Sequence, residues 1–137
     1  MSDLTRFGVS LENSLLAKFD QLIKKKKYQN RSEAIRDLIR EELVKKEWEL
    51  GREVAGAITF VYDHHQRELL EKIVHIQHDY HNVIISSQHV HLDHRNCLEI
   101  IALKGKTNQV KELFNNLKAT KGIKHATISM SSVGKGI

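Results

Sequence analysis

The sequence predicts an α+β protein in two parts, an N-terminal βαα arm over residues 1–50 and a C-terminal βαββαβ ferredoxin-like domain over residues 51–137. Three observations carry this reading. The arm holds one alternating segment followed by two stretches of helical periodicity. After Gly51 the pattern changes to strand-like and helix-like segments in the order β-α-β-β-α-β, the ferredoxin-like arrangement. The chain has nine histidines, eight of them between His64 and His94, so the second part carries chemistry that the first lacks.

In the arm, Thr5 to Leu11 alternates: Phe7, Val9 and Leu11 share one face, Arg6, Gly8 and Ser10 the other. This is the pattern of a short strand with one buried side. Leu15, Leu16, Phe19, Leu22 and Ile23 then follow helical spacing, and the helix is expected to stop near Lys27-Tyr28. Asn30 followed by Glu33 reads as an N-cap with its reciprocal partner. Ala34, Ile35, Leu38, Ile39 and Leu43 mark the apolar stripe of a second helix.

A strand and two helices in about 50 residues bury too little surface to stand alone. The lone strand also leaves its edges unpaired. Both problems vanish if two chains pair these strands antiparallel and pack their helices together. The pair would present Arg6, Gly8 and Ser10 twice, on a two-stranded ribbon of the kind that enters the major groove of DNA. The other reading is an ordinary helical dimerisation arm.

In the second part, Val54 to Tyr62 reads as a strand, and Leu69, Leu70, Ile73, Val74 and Ile76 support a helix from about His64 to Tyr80. Val83 to Asp93 is a long β-rich stretch, Cys97 to Leu103 another strand, and Ile123 to Ser131 the last. Between them Val110, Leu113, Phe114 and Leu117 mark a second helix. Two helices cover one sheet face, leaving the other for association with another copy.

Composition bounds the function. The 137 residues are 40% hydrophobic and 28% charged, a globular balance. No apolar run nears the roughly 18 residues of a membrane span. The polar start, MSDLTRFGVS, lacks the apolar core of a signal peptide. The single cysteine cannot close an internal disulfide. A cytoplasmic protein is expected. The net charge of +5 is spread along the chain, so charge alone does not argue for nucleic acid. The local run Lys24–Lys27 reads equally well as a solvated helix end.

The histidine segment points to metal. His89 and His91 lie two apart in a predicted strand and so project from one face. Cys97 opens the next predicted strand, where a strand pair can set its sulfur beside the two imidazoles. His75 and His78, three apart on a helix, share a face, and either could add a nitrogen. Two or three imidazoles with one thiolate suit a borderline-soft transition ion. Spacing alone leaves Ni(II), Cu(II) and Zn(II) open. A thiol protease lacks a nucleophile motif here. A metallohydrolase would need a general base such as Glu99 or Asp93 in a pattern like H-E-x-x-H, which is absent.

The run Gln77-His78, then His89-Val90-His91-Leu92-Asp93-His94, then Cys97-Leu98-Glu99-Ile100 resembles the metal-binding signature of the nickel-responsive regulator (NikR) family. Asn30-Arg31-Ser32-Glu33-Ala34-Ile35-Arg36-Asp37 resembles the start of that family's second arm helix, and the likeness runs from about residue 4 to 132. The resemblance implies a ribbon-helix-helix arm and an ACT-like, ferredoxin-type domain that assembles as a homotetramer, a dimer of dimers. It implies one Ni(II) per subunit, held square-planar by His89, His91 and Cys97 of one subunit with His78 of a neighbour. It further implies operator DNA as partner, no membrane, and repression of nickel-uptake genes when nickel is bound. Arg6, Gly8 and Ser10 would face operator bases, with Asn30, Arg31 and Ser32 at the helix start also meeting DNA. Gly8 stands where the family pattern has a small hydroxyl residue, so preference at that operator position should differ. Arg67 and Lys121 match positions that touch the DNA backbone. The family also carries a second cation site between arm and core, and the matching carboxylates are Glu33 and Asp37. A nickel storage or delivery protein, and a regulator answering another transition metal, are the remaining alternatives.

Overall fold

The computed structural model describes residues 3–137. They divide into two compact units, the first ending at Arg40 and the second beginning at Glu41.

In the first unit, α1 (Asn13–Lys25) is followed by the opening of α2 (Arg31–Glu49). Helix α1 ends two residues before its expected stop. There Tyr28 donates its backbone N–H to Ile23 O at 3.0 Å, and Lys27 adopts a left-handed φ of 63°, the conformation that closes many helices. Asn30 caps α2 as its sequence position predicts, its Oδ1 accepting the Glu33 backbone N–H at 2.9 Å. The reciprocal half of the expected cap does not form. The Glu33 carboxylate instead takes Arg36 at 3.1 Å, a charge-assisted partner one turn away.

The expected strand Thr5–Leu11 is not formed; residues 3–12 have no regular structure up to the start of α1. A strand persists only where its N–H and C=O groups find a ladder partner, and every strand among the described residues lies in the second unit. Among the described residues of this first unit only Ile23 and Ala34 are buried, while Phe7, Val9, Leu15, Leu22, Leu38 and Ile39 stay exposed.

The second unit contains the last turns of α2, then β1 (Glu53–Asp63), α3 (Arg67–Asp79), β2 (Ile84–His91), β3 (Asn96–Lys106), α4 (Thr107–Ala119) and β4 (Ile123–Ser131). The sheet order is β2-β3-β1-β4 with every neighbouring pair antiparallel. Each β-α-β segment therefore straddles a strand of the other, which is the predicted ferredoxin-like topology. Helix α3 starts at Arg67 and not near His64, because Asp63 accepts the His65 backbone N–H at 2.9 Å and holds a turn there.

The core is one cluster. Val54, Ile58, Phe60 and Tyr62 of β1 lie in register with Gly105, Ile101, Glu99 and Cys97 of β3, and against them pack Leu69, Ile73, Val110, Leu113 and Leu117 of the two helices. Trp48, near the end of α2, joins this cluster and donates its indole N–H to Ser131 O at 2.8 Å. The β1–β4 approach is close at Gly56, where a Cβ would stand 2.5 Å from Ser129 O. On the opposite sheet face Ala55, Ala57, Thr59, Leu98, Ile100 and Ala102 are half-buried.

Candidate metal centre

Strands β2 and β3 build the centre. Their register sets His91 opposite Cys97 and His89 opposite Glu99. With a side-chain period of two, all four project from the sheet face that carries the core. Cys97 and Glu99 are each 1% exposed. Cys97 Sγ lies 3.5 Å from His91 Nδ1. The structure thus brings together His91 and Cys97, as the spacing implied.

His89 is otherwise engaged within the chain. Its Nε2 lies 2.5 Å from Glu99 Oε1, and its Nδ1 lies 3.0 Å from the Tyr62 hydroxyl. Glu99 is gripped from the other side by Gln77, whose Nε2 donates to Oε2 at 2.7 Å. This chain of contacts through Gln77, Glu99, His89 and Tyr62 ties α3 to β1, β2 and β3. His78, one residue after Gln77, is exposed on α3 and stacks on His81 with ring centroids 6.0 Å apart. It does not join the other three expected ligands within one chain.

A histidine not singled out from sequence does join. Ligand atoms of His64, His91 and Cys97 all lie within 4.8 Å of one another. His64 directly follows β1, and its ring meets His91 edge-on, with centroids 5.2 Å apart. Tyr62 and His64 were reachable only through tertiary register. Glu99 alone left a sequence signal, standing two residues past Cys97 on the same strand face.

Burial and neighbouring negative charge both favour the protonated forms of the groups in the site. Burial pushes the Cys97 thiol up, and the negative charges of Glu99 and Asp93 add to the effect. Desolvation likewise raises Glu99, opposed by His89 and by the Gln77 hydrogen bond. Tyr62 is pushed well above the usual phenol range by burial and by Glu99. At the β2–β3 turn, by contrast, the Asn96 side chain and the Asn96 and Arg95 backbone N–H groups lower Asp93 to about 2. The donor set present, imidazoles around one thiol that must lose its proton on binding, fits a borderline-soft divalent ion such as nickel.

The other expected positions fall as follows. Arg6, Gly8 and Ser10 are exposed in the irregular segment, and Ser32 is exposed in the first turn of α2. Arg31 holds Asp20 through two bonds of 2.9 Å. The carboxylate of Glu33 is paired to Arg36, and Asp37 accepts from the Tyr28 hydroxyl. Arg67 and Lys121 line one surface recess together with Gln66, Glu68, Leu69 and Lys72.

Residues 55–131 match the family described as the NikR C terminal nickel binding domain. Residues 5–46 match ribbon-helix-helix protein, copG family. A protein of Syntrophus aciditrophicus named "Putative nickel-responsive regulator" is 63% identical over 98% of both chains. Proteins of the same name from Chlorobium limicola, 56% identical over 98% of this chain and 100% of the relative, and Nitratidesulfovibrio vulgaris, 53% identical over 100% of this chain and 99% of the relative, are also similar. Among solved structures, an uncharacterized protein from Thermotoga maritima shares the fold, with a TM-score of 0.52 and 11% identity over 57% of this chain and 96% of that one.

Proposed function

The chain belongs to the family of nickel-responsive regulators, with a ribbon-helix-helix arm and a nickel-binding domain, and it is not an enzyme; we propose that it represses transcription of nickel-uptake genes by binding operator DNA when nickel is bound. Residues 1–50 would read DNA and residues 51–137 would hold the metal, in the cytoplasm; no helix among the described residues is long and apolar enough to cross a membrane. The observation that carries the reading is the approach of His91 and Cys97 across β2 and β3 at 3.5 Å.

The proposed ligands are His89, His91 and Cys97 of one subunit and His78 of a neighbour, with one nickel per subunit. The exposure of His78 supports its serving another subunit. When bound, nickel supplies a divalent centre that links two subunits. The chain's own groups prepare for it. His89 must free one nitrogen. Its contact with the Glu99 carboxylate is charge-assisted and the stronger of its two, so the nitrogen that opens is Nδ1, released by Tyr62. Cys97 must give up its proton, so affinity falls as pH falls.

Two interfaces are proposed for a homotetramer. In the arm, the exposed stripe of Phe7, Val9, Leu15, Leu22, Leu38 and Ile39 is too apolar to stay in water. Pairing two Thr5–Leu11 segments as antiparallel strands would bury it and present Arg6, Gly8 and Ser10 as the DNA-reading ribbon. In the second domain, the half-buried Ala57, Ile100 and Ala102 offer the sheet face to another copy. Asn30, Arg31 and Ser32 sit at the N-terminus of α2, where backbone N–H groups favour phosphate; Arg31 would exchange Asp20 for DNA. Arg67 and Lys121 would meet the DNA backbone, and Glu33 with Asp37 would hold a second cation.

Gel retardation of promoter fragments, at fixed salt because phosphate contacts are salt-dependent, tests the reading. Retardation that appears with one equivalent of nickel and is lost in Cys97→Ala is expected. Nickel-independent retardation would remove the metal from the mechanism. Nickel binding without retardation of any fragment would favour a storage or delivery protein.

A further inference from the structure

Lys24–Lys27 stand between the two helices of the arm, and all four are exposed. Lys24 and Lys25 lie in the last turn of α1 and Lys26 caps it, where cations complement the helix dipole. That explanation stops at Lys27, which lies beyond the helix. Its backbone N–H donates to Lys24 O at 3.2 Å, and that of Tyr28 to Ile23 O at 3.0 Å. These two bonds form a Schellman closure with Lys27 at its left-handed position, at a φ of 63°. Glycine takes that position without strain, whereas an L side chain is penalised there. Among the described residues Lys27 is the one non-glycine residue with a positive φ. A strained backbone residue kept in place points to a use for its side chain. The charge of the run is also uncompensated. Asp20 is taken by Arg31 through two bonds of 2.9 Å, Glu33 by Arg36, and Asp37 accepts the Tyr28 hydroxyl. Among the described residues no carboxylate pairs with Lys24, Lys25, Lys26 or Lys27. Three residues past Lys27, Asn30 caps α2, whose first N–H groups favour phosphate.

We propose that Lys27, with the run it ends, holds the DNA phosphate backbone beside the N-terminus of α2, giving the arm a grip that is blind to sequence. The inference rests on the reading of the arm as a DNA-binding element. Lysine suits the task as a point charge on a flexible stem. A phosphate contact fixes the position of the arm and carries no base information. Each such contact releases condensed counterions, so the contribution of this run must weaken as salt rises.

The test measures binding of the full-length, nickel-loaded protein to two duplexes of equal length over a series of salt concentrations. One is a promoter fragment that the wild type retards, the other a synthetic duplex of mixed sequence. In Lys27→Gly the magnitude of the slope of log K against log salt is expected to fall by about 0.9 per lost contact, or about 1.8 for an arm dimer that loses one in each chain. Affinity for both duplexes should drop by the same factor, since no base is read. The urea midpoint should stay at the wild-type value or rise, because relief of the left-handed residue outweighs the freedom that glycine gives the unfolded chain. Lys27→Arg keeps the charge and should keep the wild-type slope. An unchanged slope in Lys27→Gly, a loss confined to the promoter fragment, or a lowered urea midpoint overturns the inference. Failure of the underlying reading looks different: the wild type then retards neither duplex at any salt concentration, and this inference falls with it.

Discussion

Glu99→Gln separates what the nickel site needs from what the fold needs. Glu99 is 1% exposed and lies 2.5 Å from His89 Nε2. Glutamine keeps the shape and still offers an oxygen to Gln77, but it loses the charge that orients His89. Loss of such a supporting partner lowers metal affinity by roughly 10–100-fold, about 1.4–2.8 kcal/mol at 1.4 kcal/mol per tenfold. Stability should respond differently. Desolvation raises the Glu99 pKa, so the folded state favours its protonated form, and that contribution is lost as pH rises through the folded pKa. Replacing a buried charge by a neutral group of equal volume is often neutral or stabilising. The metal-free variant should therefore unfold within about 1 kcal/mol of wild type, or later. Competition against a nickel chelator gives the first quantity and urea unfolding of the metal-free protein the second. Wild-type nickel affinity would refute the role given to Glu99. So would an affinity loss matched by an equal loss of stability, since that would be damage to the fold.

Three further outcomes follow from neighbouring contacts. Tyr62→Phe removes a hydrogen bond that occupies His89 Nδ1; at a net worth of about 0.5–1.5 kcal/mol per bond, nickel affinity should rise several-fold in the chelator assay, and a fall would mean that Tyr62 holds His89 for the metal. Gly56→Ala sets a Cβ 2.5 Å from Ser129 O, an overpacking that costs about 1–3 kcal/mol, so a urea midpoint equal to wild type would contradict the β1–β4 approach. Asp93 is lowered to about 2 by the turn it closes, so its contribution is present above the ordinary value of about 3.9 and is lost as pH falls toward its folded value. Acid unfolding of Asp93→Asn should accordingly be flatter across that window than that of wild type, and parallel curves would deny the turn its role.

Much of the second domain was legible because its signals are local. Ile123–Ser131 is a strand with the bounds its β-rich run predicts, and the two-residue spacing of His89 and His91 places both on the face that meets Cys97. Local turn chemistry moved other boundaries: Asp63 holds His64 and His65 in a turn where helical periodicity was read straight through. The alternation from Thr5 to Leu11 describes a face that needs a partner, and the described residues of the first unit include no strand to pair with it. His64 and Tyr62 could not be assigned from sequence because their proximity to the centre depends on β1 pairing with β3, where Tyr62 stands opposite Cys97. That pairing joins segments more than thirty residues apart, and no local pattern encodes it.

The coupling between metal and DNA is tested most directly by titrating nickel into the full-length protein with and without operator DNA, at one salt concentration. If nickel strengthens operator binding, the operator must strengthen nickel binding by the same factor. The predicted result is therefore a lower nickel Kd in the presence of operator, by the ratio seen in the reverse experiment. Identical nickel affinities with and without DNA would show that metal occupancy and operator binding are independent, and would contradict the account.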